Sequence, residues 1–122
     1  MENNLKDSGA RIDYGENAAI REPTDGKGDM YSLPPAALLR LSKHYELGAK
    51  KYSRRNYMRG IHVSRFLDSG LRHIFQYLDG NDDEDHLSAA TFNLLGAMQM
   101  ELRNPEMQDI EERVGKNIFS YE

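Results

Sequence analysis

Six side chains suited to gripping an oxyanion crowd a ten-residue stretch: Lys50, Lys51, Arg54, Arg55, Asn56 and Arg59. Arginine forks bind phosphate oxygens in pairs, lysine supplies a point charge, and Asn56 offers an amide to a base or ribose. Tyr45, Tyr52, Tyr57 and Phe66 lie close by in the chain, and aromatic faces of this kind stack on nucleobases. The other reading of the same residues is a solvated basic loop neutralised by acids elsewhere. A second constellation follows, with Asp68, Arg72, His73 and Gln76, then Glu84, Asp85, His86 and Asn93. Asp68 and Arg72 stand four residues apart and pair along one helix face. The carboxylates Asp68, Glu84 and Asp85 offer hard oxygen ligands to a metal, while a histidine among them is more often a hydrogen-bonded structural group than a ligand.

Helical periodicity positions these groups. A first helix is expected over about 34–51, with Ser32 as cap, Pro34 and Pro35 in its first turn and Leu38, Leu41, Tyr45 and Ala49 as its apolar stripe. Its opposite face carries Arg40, Lys43 and Lys50. A second helix runs from a Ser64 cap to a stop at Gly80, burying Leu67, Leu71, Ile74 and Leu78. The third spans about 84–103, with the acidic turn 81–85 at its positive end. Leu87, Leu94, Met98 and Leu102 make its core stripe, beside a smaller face of His86, Ala90, Asn93 and Ala97. Asn104-Pro105 ends that helix, and one further turn is expected near 109–114. Residues 1–30 read as a polar arm in which Ile12, Tyr14 and Ile20 could add short extended pieces, and Ile118, Phe119 and Tyr121 as a sticky terminal strip. The expected organisation is therefore an arm over 1–30, a nucleotide-handling core over 31–104 and an acidic extension over 105–122. The expected fold class is all-α, a compact core of three helices.

Composition narrows the chemistry. The chain has 122 residues, no cysteine and no tryptophan, which removes disulfides, zinc-thiolate sites, iron–sulfur clusters and cysteine nucleophiles. No Gly-x-Ser-x-Gly elbow or phosphate-binding Walker loop is present. Paired Glu-x-x-Asp motifs occur at Glu22–Asp25 and Glu106–Asp109, outside the expected core helices, so the carboxylate pairs of all-helical pyrophosphohydrolases are missing from them. The apolar fraction, 39%, is below the ~45–50% usual for globular domains, and so thin a core favours a homo-oligomer. The net charge of −4 conceals two blocks: Arg40 to Arg65 holds eight bases against Glu46, and from Asp79 onward eleven acids face three bases. With an acidic chain overall, a compact anion suits the basic block better than a nucleic acid. The first thirty residues contain no apolar run, and no stretch approaches a membrane span, so a cytoplasmic protein with no membrane partner is expected.

In order, DSGAR at 7–11, KGD at 27–29, LPPAALLRLSKHYELGAKKY at 33–52, RNY at 55–57, SRFLDSGLRHIFQYLDG at 64–80 and DEDHLSAATFN at 83–93 resemble a family common in phages, the dATP/dGTP diphosphohydrolase N-terminal domain. The resemblance covers about residues 7–104. It implies polar site positions at Arg11, Lys27, Lys51, Tyr52, Arg55, Asn56, Ser64, Asp68, Arg72, His73, Glu84, Asp85, His86 and Asn93. Tyr57 and Phe92 stand where the family usually has tryptophan, and Asp13-Tyr14 where it has a basic and an aromatic residue. Two activities of different classes are open to such a domain, the first of them the one the resemblance names. In the first, a Mg2+-dependent enzyme cleaves a purine deoxynucleoside triphosphate between its α and β phosphates. Lys51, Arg55 and Arg72 then hold phosphates, Asp68, Glu84 and Asp85 bind the metal or position water, and His86 or Asn93 meets base or sugar. In the second, a non-catalytic protein sequesters a cyclic nucleotide or a cyclic ADP-ribose-like signal of bacterial antiphage immunity. A DNA-associated accessory protein is a third, weaker reading, since no basic recognition helix is present.

Overall fold

A computed structural model describes residues 9–13, 15, 18–23 and 25–116. Tyr14 and the strip Ile118, Phe119 and Tyr121 lie outside the described residues. The chain divides between Leu33 and Pro34 into two compact units.

In the N-terminal unit, β1 (Ile12–Asp13) pairs antiparallel with β2 (Ile20–Arg21), in the register Ile12 to Arg21 and Asp13 to Ile20. An Arg11–Glu22 ion pair of 2.8 Å flanks the ladder. Ser32 does not cap the first long helix as its position suggested. It closes a 3-10 turn, Met30–Ser32, donating from its backbone N–H and its hydroxyl to the Asp29 carboxylate.

The second unit is all-α, as the periodicity indicated: α1 (Pro35–Lys51), α2 (Val63–Leu78) and α3 (His86–Arg103), with short 3-10 turns at Asn56–Arg59, Pro105–Met107 and Glu111–Arg113. The helix α3 packs against both others, most extensively against α2. Pro34 precedes α1 in extended geometry and Pro35 occupies its first turn, where a missing N–H costs nothing. Asp85 caps α3, accepting from the Ser88 backbone N–H at 3.1 Å and the Ser88 hydroxyl at 2.7 Å.

The expected core faces are displaced in two helices. On α3 the small face is the buried one: His86, Ala89, Ala90, Asn93, Gly96, Ala97 and Met100 turn inward. Leu87, Leu94, Met98 and Leu102 are instead 38% to 54% exposed. On α2 the inward residues are Val63, Phe66 and Gly70, whereas Leu71 and Leu78 are exposed. The cause is how closely the two helices approach. A Cβ on Gly96 would stand 2.3 Å from the Phe66 ring, and one on Gly70 only 3.4 Å from Asn93 Cβ. Small residues permit that contact and Phe66 fills it, so the leucine stripes are left outside. Val63, Phe66, Ala97 and Met100 form the core, sealed by Tyr57, Ile61, Leu67, Phe92, Met107 and Ile110.

The C-terminal segment is tied back onto α2. Helix α2 begins at Val63, with His62 as a cap that lends no side-chain bond, so Ser64 lies within the first turn. Its backbone N–H and hydroxyl both donate to Asp109, at 2.9 and 2.5 Å. These bonds hold the Asp109 carboxyl below the ordinary aspartate range. A carboxyl depressed by folding stabilises the fold fully above its unfolded pKa, about 3.9, and loses that contribution as pH falls through the lower folded value. Asp109→Asn is therefore expected to be less stable than the parent at pH 7, with the difference shrinking below about pH 4. Urea denaturation at a series of pH values measures this, and a difference that persists unchanged at pH 2.5 would contradict it.

Candidate functional site

A groove of about 580 Å3 opens where α1 passes the turn before α3. One wall is α1 and its end, with Arg40, Lys43, His44, Leu47, Gly48, Lys51 and Tyr52. Ser69 and His73 of α2, Glu84 and Asp85 of the turn, and Ala89 and Asn93 of α3 complete it. Positions 40, 43, 44, 47, 48 and 51 recur at helical spacing, so one face of α1 carries the whole cationic wall.

The cations of that wall differ in freedom. Arg40 Nε and Nη2 donate to the two Asp85 oxygens at 2.8 and 2.7 Å. This fork, with help from Ser88, holds the Asp85 carboxyl far below the usual carboxylate range. The same hydrogen bonds raise the Arg40 guanidinium. Among the described residues, Lys43 and Lys51 form no ion pair, and the Lys51 ammonium stands 5.3 Å from the Tyr52 ring centroid. These two lysines are the charges available to an incoming anion.

The deep side carries imidazoles. His86 is buried at the start of α3, and its Nε2 lies 2.8 Å from an Asp83 oxygen. Its Nδ1 lies 3.0 Å from Nδ1 of His73, and a Glu84 oxygen stands 3.9 Å from that His73 nitrogen. The hydrogen bond from His86 lowers the Asp83 carboxyl below its ordinary value. On the facing wall, burial pushes His44 down, toward the neutral imidazole.

The aromatic residues divide. Tyr45, Tyr57 and Phe92 pack edge to face with centroids 4.9 to 5.8 Å apart, and His44 leans on Phe92 at 5.3 Å. Burial pushes the Tyr45 phenol up to about 12. Phe66 is in the core. Of the four aromatics near the basic block in sequence, Tyr52 is the one on the groove wall, 66% exposed.

Among the residues expected at a site, the structure brings Lys51, Tyr52, His73, Glu84, Asp85 and Asn93 together around this groove. His86 adjoins it through His73. Arg55 and Asn56 line a much smaller cavity, about 50 Å3, that shares Gly48 and Tyr52 with the groove. Arg55 is held there in left-handed geometry at φ 61°. Asp68 and Arg72 pair with each other on an exposed stretch of α2 and are not among the groove's lining residues. Arg11 and Lys27 belong to the N-terminal unit, where Lys27 lines a concavity formed by residues 25–31. Arg40, Lys43 and His44 were legible as a polar face of the first helix but not as a site, because their partners come from residues forty positions later.

The three carboxylates expected to hold magnesium do not assemble. Asp68 is engaged by Arg72 and Asp85 by Arg40 and Ser88, and octahedral Mg2+ seeks oxygen ligands with room for several waters. Among the described residues, the donor atoms that gather within 4.8 Å of one another are those of His73, Glu84 and His86, a nitrogen-rich set that does not suit magnesium.

No described helix is long and apolar enough to cross a membrane. Comparison with curated proteins and with solved structures returns no significant match. The family model described as "dATP/dGTP diphosphohydrolase, N-terminal" matches residues 17–110, a span holding all three helices and every residue of the groove. By that match, the protein belongs to the dATP/dGTP diphosphohydrolase N-terminal family.

Proposed function

We propose that the groove binds a purine deoxynucleoside triphosphate, with its phosphates toward Lys43 and Lys51 and its base against Tyr52. The carrying observation is the pair of lysines without ion-pair partners among the described residues, set opposite Asn93 and His73 in a cleft of nucleotide size. The family match supports this choice of substrate class. In the catalytic form of this reading, water adds to the α-phosphorus, the bond to the bridging α–β oxygen breaks, and a deoxynucleoside monophosphate and pyrophosphate leave. In this reading one carboxylate oxygen of Glu84, half exposed beside His73 on the groove wall, accepts the proton from that water.

The test is calorimetry with dATP and dGTP, followed by incubation with each nucleotide and either Mg2+ or Mn2+, and chromatography of the small molecules. Saturable binding with catalytic release of pyrophosphate is the expected result. Binding with stoichiometric recovery of intact nucleotide after heat denaturation would make the protein a sequestering one, the role in which a cyclic nucleotide or cyclic ADP-ribose-like signal would be the ligand to try next. No binding at millimolar nucleotide would overturn the reading.

The exposed apolar residues of α2 and α3 bear on assembly. Leu71, Phe75 and Leu78 on one helix and Leu94, Met98 and Leu102 on the other are 47% to 71% exposed, and apolar surface gathered on two helices suits an interface between proteins. Covering them with a second copy of the chain is the simplest remedy, and sedimentation is expected to give a mass above the 14.0 kDa of one chain. Phe75→Glu should shift that equilibrium toward the monomer; a parent that sediments as a monomer at tens of micromolar would refute the dimer.

A further inference from the structure

The geometry points to a transition-metal site formed by His73 Nδ1, His86 Nδ1 and a carboxylate oxygen of Glu84, oriented by Asp83 and suited to Zn2+, Co2+ or Mn2+ rather than Mg2+.

The two imidazoles face each other through like atoms. His86 is 2% exposed, and its Nε2 lies 2.8 Å from Asp83 Oδ1. A carboxylate accepts only, so the hydrogen of a neutral His86 sits on Nε2 and its Nδ1 carries a lone pair. That lone pair points at His73 Nδ1, 3.0 Å away. Without a metal, one hydrogen on His73 Nδ1 bridges the two nitrogens. With a metal, that hydrogen moves to His73 Nε2 and both Nδ1 lone pairs meet the same ion. Two ligands about 2.0–2.1 Å from a tetrahedral ion stand about 3.3 Å apart, so the pair need open by only a few tenths of an ångström. All three donor atoms already lie within 4.8 Å of one another. Glu84 is half exposed and 3.9 Å from His73 Nδ1, so it has the freedom to close the remaining distance.

The outer arrangement agrees. A ligating histidine that donates its other ring hydrogen to a carboxylate is the usual second layer of a metal site, fixing tautomer and orientation, and Asp83 stands in that place. The positive end of α3 opposes a cation, but Asp83, Glu84 and Asp85 crowd the same turn and outweigh it. Two imidazoles and one carboxylate select borderline first-row ions over magnesium and calcium. Since His73 and Glu84 also line the groove, a remaining coordination position faces the space between them and Lys43 and Lys51, where water or a phosphate oxygen fits.

The test uses the full chain, stripped with a chelator and titrated with Co2+ in the absence of nucleotide. One ion per chain is expected, with the visible absorption of nitrogen- and oxygen-ligated cobalt and a rise in Tm. His73→Gln should weaken binding at least a hundredfold and Glu84→Gln about tenfold, while Asp83→Asn, which touches no metal, should cost about 10–100-fold. All three side chains are at least partly exposed, so these variants are expected to fold, and circular dichroism checks that they do. Absence of Co2+ uptake by the parent, uptake undiminished in folded His73→Gln, or equal competition by Mg2+ would each overturn the assignment. Nucleotide calorimetry in excess chelator is a separate measurement, so loss of the metal site and loss of the nucleotide reading are distinguishable.

Discussion

Phe66→Ala is expected to lower unfolding stability by about 3–5 kcal/mol, the range for deleting a buried aromatic ring. Domains of this size hold only about 5–15 kcal/mol in total, so the variant should be partly unfolded at 37 °C. The residue is 2% exposed and stands at the closest approach of α2 and α3, its ring filling the space that a Cβ on Gly96 would occupy. Gly96→Ala pushes on the same contact from the other side and should cost about 1–3 kcal/mol by overpacking. The two changes must couple. In the Phe66→Ala background the alanine at position 96 has room, so its cost should vanish. Urea denaturation of the four proteins of that cycle measures the coupling, and strictly additive losses would show that the ring does not lie over Gly96.

The second large effect concerns the groove. Lys43→Ala and Lys51→Ala should each weaken dATP or dGTP binding by roughly tenfold to a hundredfold, since a hydrogen bond to a charged group contributes about 1.5–3 kcal/mol. The double variant should lose binding within the calorimeter's range while keeping its Tm, because neither lysine supports another described side chain through an ion pair. Arg65, an exposed base on α2 that does not line the groove, provides the control: Arg65→Ala should bind as the parent does. Raising the salt concentration should weaken parent binding and leave little further loss in the variants, as charge screening requires. Equal losses in Arg65→Ala and Lys51→Ala would mean that general charge, and not this wall, attracts the nucleotide.

Why the lysines are available and Arg40 is not was invisible in the chain. Asp85 lies 45 residues beyond Arg40, and nothing local says that its carboxylate caps α3 and grips α1 together. The same distance hid the tie between Ser64 and Asp109. By contrast, Lys51, Tyr52, His73, Glu84, Asp85 and Asn93 are all site candidates in the sequence itself, and they meet in one groove. Asp68 and Arg72 were legible as a pair because four residues on a helix fix their neighbourhood, but that pair satisfies itself on the surface of α2.

Periodicity determined three helices, and the prolines and Asn104 set limits that hold within a residue or two. It also marked two faces on α3, a leucine face and a small-residue face. It could not say which turns inward, because a helix has no inside until a partner arrives, and hydrophobic size alone favours the leucines. Only the tertiary structure decided, by letting Phe66 seat over Gly96 and drawing the small face in. That choice buries His86 against His73, leaves the leucines outward, and turns a basic helix face and an acidic turn into the two sides of one groove.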